Sequence, residues 1–132
     1  MSLALGSFNT SLKHFNFSHN RIGNGQLVDV ILALSMHSQL EKIEIIRMNI
    51  GSNECTALST LLRNTTKQLQ TLWLGNNNID DEGVDALVHA IGGSKLVELS
   101  IACNPTITSR GWKTVPTLLE MPESNVEEFN LP

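Results

Sequence analysis

Two hydrophobic rhythms alternate along this chain. The stretch LQTLWLGNNNIDDEGVDALVHAI, starting at Leu69, shows both. Its first half places apolar residues at every second position, with Leu72 and Leu74 facing one way, and period two predicts a half-buried strand. Its second half places Val84, Leu87, Val88 and Ile91 on one face of a helix. Between them stand a turn rich in Asn and the Asp80–Asp81–Glu82 run.

The same double rhythm returns elsewhere. LKHFNFSHNRI from Leu12, LEKIEIIRMNI from Leu40 and LVELSIACNPTI from Leu96 align with it, the last with one inserted residue, and VEEFNL from Val126 opens a further copy. Successive starts are 28, 29, 27 and 30 residues apart. The predicted strand pairs are Phe15 and Phe17, Ile43 and Ile45, Leu72 and Leu74, Leu99 and Ile101, and Phe129 and Leu131. The predicted helix faces are Leu27, Val30, Ile31 and Leu34; Cys55, Leu58, Leu61 and Leu62; Val84, Leu87, Val88 and Ile91; and Trp112, Val115, Leu118 and Leu119. Asn24, Ser52, Asp80 and Thr108 or Ser109 stand where N-caps are expected, and Gly92-Gly93 where a helix would stop. Pro116 falls inside the fourth helix, so that helix is expected to start late or kink.

A 28–29-residue unit of strand, Asn turn and full helix resembles the ribonuclease-inhibitor-like class of the leucine-rich repeat family. The resemblance implies an α/β, right-handed solenoid, a horseshoe segment with parallel strands on a concave face and helices on a convex one. The whole chain, 1–132, is expected to form one such domain, with repeats from 12, 40, 69 and 96 and partial repeats at 1–11 and 126–132. The resemblance also implies a ladder of buried Asn side chains that satisfy backbone groups of adjacent turns. Asn20, Asn77 and Asn104 hold that position. Met48 stands there in the second repeat, followed by Asn49. Either Asn49 enters through a local bulge, or one rung is missing, and this turn is expected to be the most irregular.

The residues alternating with the buried ones define the open face of the sheet. One row is His14, Lys42, Thr71, Glu98 and Glu128; the next is Asn16, Glu44, Trp73, Ser100 and Asn130; a third is Ser18, Ile46, Gly75 and Ala102. His19, Arg47, Asn76 and Cys103 lie at the strand exits. Trp73 is the expected anchor for a partner, since a tryptophan pointed away from the core is a frequent interface hot spot. Ile46 would lie diagonal to it, with Lys42, Glu44, Arg47, His14 and Glu98 around it.

Composition narrows the function. The net charge of -4, with nine scattered basic residues, disfavours nucleic acid and anionic membranes as partners. No apolar run spans a bilayer, and the first eight residues lack the signature of a signal peptide. Cys55 and Cys103 are far apart, which suits a reducing, cytoplasmic compartment. The sequons at Asn9, Asn16 and Asn64 are then expected to stay unmodified. Neither His14, His19, His37 and His89 nor the cysteines form a metal or nucleophile pattern, and Gly92-Gly93-Ser94-Lys95 lacks phosphate-loop spacing. His89 and Asp85 read as a solvated i,i+4 pair. No enzyme activity and no cofactor are expected.

The expected function is binding of a protein partner on the concave face. Two alternatives are regulation of an enzyme, as the family's activators of Ran-type GTPases and enzyme inhibitors do, and a truncated or engineered array with no partner of its own. Leu3 to Ser11 resemble only the tail of an upstream repeat, and the chain stops at Leu131-Pro132 within a strand. A piece of a longer array, or self-association through uncapped ends, is therefore expected.

Overall fold

The structure is a computed structural model that describes residues 12–19, 22, 24–37, 39–64, 69–121 and 124–130. The partial repeat at 1–11, the rung at Asn20 and the final Leu131-Pro132 lie outside the described residues.

Five three-residue strands, β1 (His14–Asn16), β2 (Lys42–Glu44), β3 (Thr71–Trp73), β4 (Glu98–Ser100) and β5 (Glu128–Asn130), form a parallel sheet in chain order. Parallel neighbours need a long crossover between them, and a helix fills that role in each repeat. The helices are α1 (Asn24–Leu34), α2 (Ser52–Asn64), α3 (Asp81–Ile91) and the shorter α4 (Ser109–Thr114), which passes into a 3-10 helix, Val115–Leu119. The register is that of the sequence rows. His14, Lys42, Thr71, Glu98 and Glu128 pair in one line, and Asn16, Glu44, Trp73, Ser100 and Asn130 in another.

The core lies between sheet and helices. Ile43, Ile45, Leu72, Leu74, Leu99 and Ile101 face it from the strands and are all but inaccessible. The predicted faces of α1, α2 and α3 are buried as well, and all but Val30 join the strand residues in one cluster. Each such Leu or Ile contributes about 1.5–3 kcal/mol through burial. Phe15 and Phe17 are only half-buried and stack on each other, with ring centres 5.6 Å apart.

The structure corrects several sequence expectations. Asp80 and Thr108 do cap their helices, accepting from the N–H groups of Gly83 and Arg110. Asn24 and Ser52 instead are the first residues of α1 and α2. At α2, Gly51 takes the cap position: its carbonyl accepts from Cys55 N–H, while the buried Glu54 carboxylate reaches back to Gly51 N–H at 2.7 Å. That is the return half of a capping box.

Gly92 ends α3 in right-handed geometry, with φ −53°. Its missing side chain serves packing instead, since a Cβ there would collide with the Met121 sulfur.

Pro116 neither delays nor kinks α4. The α-helix stops at six residues and tightens into 3-10 geometry, with the proline in the first turn, where its absent N–H costs little. Three residues per turn carry Leu119 out of the predicted stripe, so it is 66% exposed while Val115 and Leu118 stay buried. Trp112 is half-buried.

Candidate functional site: the open face of the sheet and its turns

At each strand exit the chain must leave the sheet sharply. His19, Arg47, Asn76 and Cys103 all adopt left-handed geometry, with φ between 56° and 62°. Such values are uncommon outside glycine. They recur because every repeat makes the same turn, held by bonds such as Arg47 N–H to Gly75 O and Asn76 N–H to Ala102 O. All four residues are exposed, so the exits form a side-chain row along the sheet's rim.

Beneath this rim runs the asparagine ladder. Asn77 Oδ1 accepts from the N–H groups of Met48 (2.8 Å) and Ile50 (3.1 Å) in the preceding repeat. Its Nδ2 is shared among the carbonyls of Ile45, Leu74 and Gly75 at 2.9–3.1 Å. Asn104 repeats the pattern one turn later: it accepts from Ile79 N–H and donates to Leu74, Ile101 and Ala102. Both asparagines are buried. The inserted residue beside Asn104 is accommodated by Pro105 and Thr106, both exposed, and Ile107 then returns to the core.

Asn49 is not a rung. Met48 keeps the buried ladder position, and its thioether has no amide to offer the first repeat's turn. Asn49 points outward, with φ 59° and its side chain hydrogen-bonded to that of Asn78. This second left-handed residue sets the turn apart among those described. No bulge brings Asn49 inward.

On the open face, Trp73 occupies the middle strand, half-buried and pointing away from the core, which Leu72 and Leu74 fill. It is not bare. The Lys42 ammonium lies over the indole, 3.6 Å from the ring centre, and 3.6 Å from Glu44 Oε2. Cation, aromatic face and carboxylate thus form one cluster on two adjacent strands, because Lys42 and Glu44 share a face of β2 and Glu44 registers with Trp73. Trp73 Nε1 is buried and has no acceptor among the described residues. Ser100, beside Trp73 in register, is buried as well.

Ile46 is half-buried on this face and Arg47 exposed at its rim. Glu98 stands in the row of Lys42 and Thr71, half-buried and without an ion pair among the described residues. His14 is exposed and lies 4.0 Å from Glu41, a carboxylate that the row pattern does not flag because it precedes the strand. Surface pairs of this kind contribute little.

Other charged groups serve the scaffold. Asp81 sits in the first turn of α3, yet its carboxylate accepts from the backbone and hydroxyl of Thr108 in the next repeat. The Thr108 hydroxyl above all holds Asp81 below the usual carboxylate range. Asp85 binds Arg110 at 3.0 Å, which raises the guanidinium's pKa further. His89 therefore does not pair with the Asp85 carboxylate; its Nδ1 meets the Asp85 backbone oxygen at 2.7 Å.

Both cysteines are free. Burial pushes the Cys55 thiol up to about 12, helped by the neighbouring Glu54 and Asp80 charges. Cys103 is exposed at a strand exit. A disulfide-exchange reagent at neutral pH is expected to label Cys103 and to reach Cys55 only after unfolding; labelling of Cys55 in the folded chain would contradict its place in the core. Among the described residues, no group of His, Cys, Asp and Glu could hold a metal ion, and no helix is long and apolar enough to cross a membrane.

The comparisons with known proteins agree with this architecture. The sequence profile of the leucine-rich repeat family matches residues 8–25 and 68–88. NACHT, LRR and PYD domains-containing protein 5 of Mus musculus is 30% identical over 121 residues, taking in 76% of this chain. The chain spans only 10% of that protein's length. Among solved structures, leiomodin-1 actin-binding site 2 superposes with a TM-score of 0.86 at 18% identity, covering 98% of this chain and 75% of that one. The tropomodulin C-terminal domain of Caenorhabditis elegans gives 0.82 at 18% identity, covering 98% and 78%.

A row of parallel strands, a row of helices behind it and buried asparagines linking successive turns define an α/β repeat solenoid. Its repeats match the leucine-rich repeat family in sequence profile and in fold.

Proposed function

We infer that this chain is a recognition module that seats a protein partner on the concave face of its sheet, and that it catalyses nothing itself. The observation that carries this reading is Trp73: a large aromatic side chain on the middle strand, turned away from the core, with Lys42 over its ring and Glu44 beside it in register. An indole is expensive to leave at a surface and is enriched where partners dock. The likeness in fold to a leiomodin-1 segment named for actin binding lends further support to a protein partner. The net charge of -4 disfavours nucleic acid and anionic lipid. Two free thiols suit a reducing compartment, so we place the protein in the cytoplasm, acting as one repeat domain.

Two aspartate substitutions test the reading. Ile46→Asp puts a charge on the concave face, and Thr56→Asp puts one on the exposed side of α2. Proteins captured by the intact chain are expected to be lost with Ile46→Asp and kept with Thr56→Asp, both variants retaining the native circular dichroism. Loss with Thr56→Asp alone would move the binding face to the helices.

A further inference from the structure

We propose that the partner segment held on this face is basic, and that Lys42 occupies, in the free chain, the position its cationic side chain takes on binding. This rests on the concave-face reading above and adds the chemistry of the partner.

On this face Lys42 stands against Glu44 and Glu98, so the rows of β2–β4 hold two carboxylates for one cation, with Arg47 beyond them at the rim. An aromatic face within 6 Å of a cation, beside a carboxylate, is the arrangement by which proteins bind ammonium and guanidinium groups. Here that receptor is assembled from Trp73 and Glu44 and filled from within by Lys42, 3.6 Å from both the ring centre and the carboxylate.

Lys42 is a poor permanent occupant. Its amine is 3.6 Å from Glu44, beyond a direct hydrogen bond, and its side chain remains 28% exposed on a flexible stem. An arginine from a partner has a planar guanidinium that stacks on indole and forks onto a carboxylate, so it competes well for the same place. Displaced, Lys42 has open solvent to enter. The unpaired Trp73 Nε1 fits this picture, because a ring freed from its lid is able to turn and find an acceptor on the partner's backbone.

The test uses tetra-arginine amide as probe, with tetra-glutamate as the opposite charge. The chain has two tryptophans, so Trp112→Phe makes Trp73 the single fluorophore. In that background tetra-arginine is expected to change Trp73 emission saturably, with affinity falling as salt rises. Lys42→Ala, which empties the position, is expected to strengthen binding about threefold or more, and Glu44→Gln and Glu98→Gln to weaken it by a similar factor. Tetra-glutamate is expected to leave the emission unchanged. Weaker or unaltered binding with Lys42→Ala, or indifference to both glutamine variants, overturns the proposal. If captured protein partners are then still lost with Ile46→Asp, the basic partner alone falls. If they ignore Ile46→Asp as well, the concave-face reading falls with it.

Discussion

Replacing Asn77 with alanine is expected to cost about 4 kcal/mol of folding stability, the largest loss for any polar residue in the described part of the chain. The reason is the number of buried groups that depend on one amide. Met48 and Ile50 N–H both end on its Oδ1, and the carbonyls of Ile45, Leu74 and Gly75 share its Nδ2. Each buried N–H left without a partner costs about 1–3 kcal/mol, and two are orphaned at once. Asn77→Asp is expected to fail too, since it keeps the acceptor but turns a carboxylate oxygen toward three carbonyls. Asn49→Gly is the control. Asn49 is exposed and left-handed, a geometry that glycine adopts freely, so the change is expected to stay within about 0.5 kcal/mol. Urea unfolding followed by circular dichroism reads all three. Equal losses at Asn77 and Asn49 would contradict the ladder described above.

The second large effect is on binding. Trp73→Ala is expected to weaken a partner's affinity by about 2 kcal/mol or more, roughly thirtyfold, as truncation of an interface hot spot does. The effect on folding is expected to be smaller. The core residues Leu72 and Leu74 flank Trp73 in sequence but face the other way, and the alanine removes chiefly ring burial and one cation–π contact worth about 0.5–1 kcal/mol. Trp73→Phe, which keeps a weaker aromatic face, is expected to fall between. Calorimetric titration separates affinity from stability when paired with thermal melts. A variant that binds as tightly as the parent chain would remove Trp73 from the interface.

Much of this arrangement is legible in the leucine spacing, for a physical reason. A strand's side chains alternate strictly, and each repeat buries its apolar side only against its neighbours. Once the copies are aligned, the rows across the sheet follow, and the observed register matches them from His14 to Glu128. What the spacing does not carry is local geometry. Met48 and Asn49 are adjacent, and only the backbone decides which turns inward; it buries the methionine and sends the asparagine out. Leu119 sits in step with Leu62 by count, yet Pro116 changes the helix from 3.6 to three residues per turn and carries it to the surface. Glycine at 92 reads as a stop signal, while its use is to admit the Met121 side chain. The lid that Lys42 forms over Trp73 is a rotamer choice, which no periodicity encodes.

Photo-crosslinking from defined positions reads directly which face meets the partner. A benzophenone side chain is introduced at Thr71, in the row beside Trp73 on the sheet, or at Thr56, on the exposed side of α2. Irradiation in the presence of the partner is expected to give a covalent adduct from position 71 and none from position 56. An adduct from position 56 alone would mean that the helices, not the strands, meet the partner.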